Sequence, residues 1–449
     1  MNALQRLRER FWFIPALLCI VALLAAEALV AVDERIDALT LPAPIAAVLY
    51  RVGESGSRDL LGAIATSSLA VAGTTFSITM AVLALTSSSY GPRLVRNFMA
   101  DRGNQMVLGV YVSTFLYCIL VLRSIRVLGD PDVPDADTFV PHLAVNVAMV
   151  LALLNVGVLV YFVHHITDSI QVSTLAGEVR RDLLSVVDRL YPVNGGANAG
   201  PPATSLEEVR TSGVVIRAGR AGYVQHVRED TLLKTASDHD LLVAMSCRPG
   251  HYVLADTVLA VAHPPQRVND RVSAALREAV GIADARSPTQ DVEFAVQQLT
   301  EMAVRALSPG INDPYTAINA LDDLAAGLTA LMARDVPSPW RSDGDGTVRV
   351  HSPRPEPADL IGTVLDHVRW FGASTPPVMH AGLELAGRVA CHARSDDVRQ
   401  GLRTHVGLLL DAFMAAGHHA YDVRRFEAHA EQVRAATRRR LNDPTGGRH

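Results

Sequence analysis

The segment VPHLAVNVAMVLALLNVGVLVYFV, from Val140 to Val163, decides the fold because it contains no Asp, Glu, Lys or Arg. A helix needs about 20 apolar residues to cross a bilayer, and this segment is long enough. Three further apolar runs of spanning length lie at about 11–32, 60–86 and 106–128. The sequence therefore predicts four transmembrane helices, with the lipid bilayer as their surroundings.

The distribution of charge around these runs predicts their orientation. Three arginines follow the second run and two follow the fourth, whereas the loop after the third run carries four aspartates (Arg93, Arg96, Arg102; Arg180, Arg181; Asp130, Asp132, Asp135, Asp137). Five arginines on the predicted outer side oppose this bias: Arg35, Arg51 and Arg58 in the first loop, and Arg123 and Arg126 at the end of the third run. By the positive-inside rule we expect both termini in the cytoplasm of a bacterium, with the spans in its inner membrane.

Beyond the spans the hydrophobic pattern changes twice. The expected fold is an α-helical membrane protein with a cytoplasmic region made of a small β-rich, barrel-like module and a helical bundle. The predicted boundaries are 1–163 for the four-span domain, 164–192 for a stalk helix, 193–210 for a linker, 211–264 for the β-rich module, 265–442 for the helical domain and 443–449 for a tail.

The predicted stalk has an apolar seam at coiled-coil spacing, with members at Val172, Ala176, Val179, Leu183, Val186 and Leu190. Such a seam either associates with another copy of the chain or packs on its own domain. The polar stretch at 334–357 is predicted to hold a hairpin around Asp343–Gly346, and a short helix is expected over Glu229–Ser237.

The second span carries a stripe of small residues at alternating spacings of three and four, which places them on one helical face. Its members are Ser67, Ala70, Thr74, Ser77, Ala81, Ala84 and Ser88. A small face allows close approach of another helix. The alternative is a narrow, water-filled path lined by hydroxyl groups around an oligomer axis.

A second candidate site is the stretch RALSPGINDPYTA, from Arg305 to Ala317, which lies between two amphipathic helices. Turn and capping chemistry accounts for its Pro, Gly and Asp residues. A polar cluster remains as a candidate ligand-binding corner: Arg305, Ser308, Asn312, Asp313, Tyr315 and Thr316. An anion beside the helix N-terminus and a cation on the Asn–Asp pair are both chemically reasonable ligands.

Three charged residues fall within the predicted spans: Glu27 in the first, and Arg123 and Arg126 at the outer end of the third. Glu27 in the first span and Arg123 in the third lie at similar predicted depths. A carboxylate in a bilayer needs a partner, a proton or water, so an ion pair between the two is one hypothesis. The alternative is that Glu27 reaches the headgroup layer on its own.

The stretches RALSPGINDPYTA and TTFSITMAVLALTSSSYGPR (Thr74–Arg93), together with the four-span layout, resemble a bacterial family of predicted membrane proteins known as domain of unknown function 2254. The resemblance covers nearly the whole chain. It implies an integral membrane protein with a cytoplasmic region, and it implies no catalytic residues.

Composition and motifs restrict the function. The formal net charge is -5 and gives no basic field that would recruit nucleic acid. We find no nucleophile elbow, P-loop, zinc-protease motif or dinucleotide-binding glycine set, so we expect no enzyme, no cofactor and no metal. The first functional hypothesis is a homo-oligomeric conduit for ions or small solutes, regulated by its cytoplasmic domain. The alternative is a membrane-anchored sensor or scaffold whose cytoplasmic domain binds a ligand or partner.

Overall fold

A computed structural model describes residues 12–35, 53–90, 101–126, 139–169, 172–192, 200–202 and 204–438. The side chains at 86–90, 169, 172 and 173 lie outside the description. The chain divides into two compact units, at Met1–Thr174 and Leu175–His449. Each is described by itself.

Among its described residues, the first unit has four helices that are long and apolar enough to cross a membrane. They are α1 (Phe13–Asp33), α2 (Glu54–Tyr90), α3 (Arg102–Ser124) and α4 (His142–Ser169). All four coincide with apolar runs identified in the sequence, because a helix satisfies its own backbone hydrogen bonds and so suits a medium without water.

Polar side chains near the middle of the spans connect three of these helices. The Asn155 amide on α4 donates to Ser68 Oγ on α2 at 3.0 Å, and its Oδ1 lies 3.3 Å from Thr114 Oγ1 on α3. The Tyr111 hydroxyl donates to the Asn155 carbonyl at 2.7 Å. All four residues are buried, with at most 7% of each exposed. Hydrogen bonds between helices stabilise their association in a membrane, because the hydrophobic effect does not favour helix–helix contact over helix–lipid contact.

A second bond network orients the start of α4. Asp33, the last residue of α1, accepts hydrogen bonds from the backbone N–H groups of Leu143 and Ala144 at 3.1 and 3.0 Å. The first N–H groups of a helix have no acceptor within the helix. The carboxylate at the end of α1 therefore caps α4 and fixes the two helix ends beside each other.

Replacement of Asn155 by Leu removes the side-chain bonds to α2 and α3 while roughly retaining the volume. We expect a loss of about 1 to 2 kcal/mol, since interhelical hydrogen bonds in membranes contribute roughly 0.6 kcal/mol each on average and up to about 1.7. Unfolding in mixed micelles with increasing dodecyl sulfate, followed by circular dichroism, measures the change. Thr74→Val is the control, because Thr74 is exposed and bonds the Ala70 carbonyl of its own helix. Equal stability of the two variants would contradict the role given to Asn155.

The part of the second unit that the structure describes has eight strands in two sheets. The strands are β1 (Val214–Arg217), β2 (Gly222–Val227), β3 (Leu242–Met245), β4 (Tyr252–Val253), β5 (Val258–His263), β6 (Val280–Ala283), β7 (Trp340–Ser342) and β8 (Val348–His351). One sheet has the order β1-β5-β3-β8-β7 and the other β4-β2-β6. All pairs are antiparallel except β3 with β8.

The sheets correct one expectation from the sequence. Neither sheet closes into a barrel, so the barrel-like description of the module was wrong. The reason is that strands from outside 211–264 extend the sheets: β8 pairs with β3, and β6 pairs with β2. The predicted hairpin around Asp343–Gly346 is confirmed as the turn between β7 and β8.

Most of the other helices described in the second unit lie at 265–442, where a helical domain is predicted, but Leu206–Ser212 begins within the predicted linker. The helices are α5 (Val172–Leu190), α6 (Leu206–Ser212), α7 (Glu229–Asp238), α8 (Asp270–Glu278), α9 (Val292–Ala306), α10 (Pro314–Met332), α11 (Pro357–Gly372), α12 (Pro376–His392), α13 (Asp396–Ala415) and α14 (Ala420–Arg438). The predicted short helix over 229–237 is confirmed as α7.

The apolar seam of α5 is buried inside the second unit. Ala176, Val179, Leu183 and Val186 are at most 3% exposed. A Cβ built on Gly327 of α10 would overlap the Leu183 side chain, and Arg180 pairs with Asp323 of α10 at 3.1 Å. Of the two interpretations of this seam, packing on its own domain is therefore the one that the structure supports.

The contact between Gly327 and Leu183 makes a specific stability prediction. Gly327→Ala should destabilise the protein by about 2 kcal/mol, because Leu183 is fully buried and overpacking outweighs the helix propensity of Ala. Gly401→Ala on α13 is the matched control, since its new Cβ would meet Ala358 Cβ at 4.0 Å, an ordinary contact. Thermal unfolding of the full chain in detergent should give a lower midpoint for Gly327→Ala and an unchanged or higher one for Gly401→Ala. The opposite order would refute the tight contact.

Candidate functional site: an arginine-lined cavity

The small-residue stripe of α2 lies on the outside of the first unit. Six of its members are exposed: Ser67, Ala70, Thr74, Ser77, Ala81 and Ala84. The side chain of Ser88 lies outside the described residues. Buried residues such as Leu61, Ser68 and Thr75 form the opposite face. Within the described part of the chain, the stripe is therefore not the face that α2 uses for packing.

The hydroxyl groups of the stripe bond to their own helix. Ser67 donates to the Ile64 carbonyl at 3.1 Å, Thr74 to Ala70 at 3.0 Å and Ser77 to Gly73 at 2.9 Å. Hydroxyl groups commonly bond carbonyls three or four residues earlier in this way. Their donors are thus satisfied locally, and the outer surface that they present is small and only weakly polar.

The corner between α9 and α10 is built mainly by capping. Asp313 accepts from the Thr316 N–H at 3.1 Å and from the Thr316 hydroxyl at 2.6 Å, and these bonds lower the pKa of its carboxyl below the ordinary value. Asn312 adopts a left-handed conformation with φ 49°. Tyr315 is 79% exposed. The Asp313 oxygens are thus engaged by the helix that they cap.

The two residues of the proposed intramembrane ion pair, Glu27 and Arg123, are both exposed. Within the described residues, the ion pair in this region joins Arg126 to Glu34 at 3.8 Å instead of Arg123 to Glu27. Glu27 and Arg123 lie at similar predicted depths, but their side chains point away from the packed faces of their helices. Similar depth along two spans therefore does not by itself bring two side chains together.

The second unit contains a cavity of about 400 Å³ that the sequence analysis did not identify. Five separate segments line it: 189–190, 227–231, 248–249, 290 and 352–355. None of the six residues of the predicted corner lines it. Its volume falls in the range of about 300 to 1,000 Å³ that is typical of small-molecule sites.

The wall of the cavity is rich in arginine. It includes four arginines and two acidic residues, which gives a formal charge of +2 (Arg189, Arg228, Arg248 and Arg354; Glu229 and Asp230). Pro249, Pro353 and Pro355 contribute apolar surface. Guanidinium groups bind carboxylates and phosphates through paired hydrogen bonds. The arrangement therefore suits an anion with an apolar part.

Two of the arginines precede a proline, as Arg248-Pro249 and Arg354-Pro355. Proline restricts the preceding residue to extended backbone, so the positions of these side chains are partly fixed in advance. The Nε atoms of Arg248 and Arg354 are both buried and have no hydrogen-bond acceptor. A buried donor of a charged group without an acceptor costs free energy.

Glu229 holds the centre of the ion network in this wall. Its carboxylate accepts from Arg341 Nε at 3.1 Å and from Ser352 Oγ at 3.4 Å. Arg354 Nη2 lies 3.4 and 3.5 Å from its two oxygens. Burial lowers the pKa of the Arg354 guanidinium from its ordinary value, while the charge of Glu229 acts in the opposite direction. We treat Arg354 as a cation, because the guanidinium group stays protonated in proteins.

The other arginines are fixed by backbone and carboxylate acceptors. Arg189 Nη1 donates to the Thr289 carbonyl at 2.7 Å, and Arg228 donates to the Glu278 carbonyl. Arg248 Nη2 pairs with Glu293 Oε1 at 2.5 Å. Because a guanidinium group has five N–H donors, each of these bonds orients its arginine and leaves other N–H groups to donate to a ligand.

The described residues contain no group of three or more His, Cys, Asp or Glu side chains that could hold a metal ion. The chemistry of the cavity wall is that of anion binding by guanidinium groups. The sequence signal that could have pointed to it is the pair of Arg-Pro dipeptides, both beside the predicted β-rich elements.

Comparison with known proteins agrees with a membrane protein. Uncharacterized proteins of Mycobacterium bovis and Mycobacterium tuberculosis are 30% identical over 373 residues, which cover 81% of this chain and 70% of theirs. No solved structure matches this chain. The profile of a family described as predicted membrane protein, domain of unknown function 2254, matches residues 8–386. The chain therefore belongs to this family of predicted membrane proteins.

Proposed function

We propose that this protein is a membrane-anchored sensor whose second unit binds a small anionic ligand in the arginine-lined cavity. The observation that carries the proposal is Arg354, a mostly buried cation in the cavity wall whose contacts to Glu229, at 3.4 and 3.5 Å, are long. In this proposal the second unit lies in the cytoplasm with both termini, the spans lie in the bacterial inner membrane, and the protein binds its ligand without chemical conversion.

Three properties of the cavity support a binding function. Its wall brings together side chains that are as far apart in sequence as Arg189 and Arg354. Backbone acceptors orient two of the arginines, so the cations are held in place before a ligand arrives. Such preorganisation reduces the entropy cost of binding. The positive charge is concentrated here although the chain as a whole has a net charge of -5.

The proposal predicts stabilisation by anions that depends on Arg354. Full-length protein in detergent is heated with phosphate, nucleotides, dicarboxylates and tricarboxylates at constant ionic strength. A ligand at 100 times its Kd should stabilise the native state by about 2.7 kcal/mol. Arg354→Gln should weaken binding by about 2 kcal/mol, or roughly 30-fold, because a charge-assisted bond is lost.

Arg394→Gln is the matched control for this experiment. Arg394 pairs with Asp335 at 3.4 Å on the surface of the same unit, and both side chains are at least half exposed. We expect this variant to bind as the wild type does. A wild-type protein that no anion stabilises, or equal binding by Arg354→Gln, would refute the sensor proposal.

A second candidate function is a homo-oligomeric conduit for ions or small solutes. The observation in its favour is the exposed stripe on α2, in which small residues leave room for a second copy of the chain or for water. Closely packed helices in membranes often meet at small residues. In an oligomer with the stripes facing a common axis, Thr74 and Ser77 would line the path.

The conduit predicts a flux in reconstituted liposomes that bulky residues on the stripe abolish. Thr74→Leu and Ser77→Leu should each reduce the flux at least about tenfold, since hydrophobic constrictions close narrow pores by dewetting. Phe76→Leu, on a neighbouring exposed position of the same helix, should leave it unchanged. The absence of flux under ion gradients of either direction would eliminate this candidate.

A further inference from the structure

We infer that the ligand of the cavity carries a phosphate group, and that this group displaces the carboxylate of Glu229 from Arg354. The inference rests on the proposed sensor function and adds the chemical class of the ligand. In this inference, the Glu229 carboxylate contacts Arg354 when no ligand is bound, and the phosphate group of the ligand competes with it for that arginine.

The first support is the geometry of the pair between Glu229 and Arg354. Both contacts are at the long limit of a hydrogen bond, at 3.4 and 3.5 Å, and both involve the same Nη2 atom. Charge-assisted N–H···O bonds normally measure about 2.7 to 2.9 Å. Because Glu229 is also bound by Arg341 and Ser352, it retains two partners when Arg354 turns to another anion.

The second support is the start of α7 in the cavity wall. Residues 229–231 form the first turn of this ten-residue helix, and Arg228 makes no side-chain cap bond to it. The first N–H groups of a helix have no internal acceptor, and the helix dipole there favours negative charge. This helix end and the long contacts of Arg354 to Glu229 are separate observations, and both involve residues that line the same cavity.

The third support is the spread of the donors. Arg354, Arg248 and the hydroxyl of Thr231 belong to three different segments of the wall. A carboxylate offers two oxygens in one plane, whereas a phosphate monoester offers three oxygens in a pyramid and close to two negative charges. Its charge also matches the formal charge of +2 on the wall.

The remaining surface indicates that the phosphate is attached to an organic group. Leu190, Val227 and the three prolines of the wall present apolar surface. A cavity of about 400 Å³ is also much larger than one inorganic phosphate requires. Burial of an apolar substituent against these residues would add affinity through the hydrophobic effect.

Phenyl phosphate and phthalate are the probes that test this inference. Both are aromatic dianions at pH 8, because the second phosphate pKa is about 6, but only one offers a tetrahedral group. Titration calorimetry on the full chain in detergent, at constant ionic strength, should give at least about tenfold tighter binding of phenyl phosphate. Inorganic phosphate should bind about fivefold or more weakly than phenyl phosphate, because it lacks the apolar part.

Glu229→Gln tests the displacement. Removal of the competing carboxylate should tighten phenyl phosphate binding about tenfold. Asp230→Asn is the matched control: it removes the same charge from the same wall, and within the described residues no ion pair joins Asp230 to Arg354. We expect a gain of at most about threefold for this variant, because a solvated charge is screened.

Arg354→Lys provides an independent reading if Glu229→Gln does not fold. It keeps the charge but loses the planar fork of donors, so the preference for phenyl phosphate over phthalate should fall at least about fivefold. An unchanged preference would overturn the inference.

The outcomes separate the inference from the proposed function. Tighter binding of phthalate than of phenyl phosphate would overturn the phosphate assignment and leave the sensor proposal in place. No gain from Glu229→Gln, or an equal gain from Asp230→Asn, would overturn the displacement. Failure of the wild type to bind any anion would overturn the sensor proposal and the inference together.

Discussion

The first unit depends on one constraint, which is that polar groups surrounded by lipid must find their partners within the protein. Asn155 meets this constraint by bonding Ser68 on α2 and contacting Thr114 on α3. The bond to Ser68 also fixes the rotation of α2 about its axis. With Ser68 turned inward, Ser67, Ala70 and Thr74 are turned outward. The outward direction of the stripe on α2 thus follows from the position of the buried Asn155 amide. The small size of the stripe residues does not follow from that bond, and it points to a partner on the outer face of α2.

The second unit satisfies its polar groups differently, because it contains far more charge. Most of its guanidinium groups are paired with carboxylates or carbonyls, as in the pair of Arg286 with Asp291 at 2.7 Å and of Arg349 with Asp343 at 2.7 Å. Arg354 differs from these two arginines, since its contacts to Glu229 are long, at 3.4 and 3.5 Å. Two prolines flank it and restrict the backbone on both sides. An incompletely satisfied polar group in a protein interior calls for an explanation, and a functional role is one.

Sequence patterns predicted those parts of the structure that depend on local periodicity. The four spans, the helices from Asp270 onward and the hairpin between β7 and β8 all follow from hydrophobic spacing and turn residues over short windows. The two sheets did not follow, because the pairing of Val243 with Val350 joins segments that are far apart in the chain. The cavity was missed for the same reason, since its five segments extend from Arg189 to Pro355. The depth of a residue along a span can also be read from the nearby sequence. It does not tell which face of the helix the residue lies on, and so the pairing of Glu27 with Arg123 was not predicted correctly.

The parallel pairing of β3 with β8 has a consequence for how the chain is made. Residues 246–347 separate the two strands, and they include α9 and α10. During translation β3 leaves the ribosome long before β8 exists, so its free edge is exposed while about one hundred further residues are added at roughly 5 to 20 residues per second. An unpaired strand edge invites pairing with other chains. For several seconds during synthesis, the edge of β3 that later pairs with β8 is therefore unpaired. In that interval, chaperones or neighbouring helices must cover it to prevent pairing with other chains.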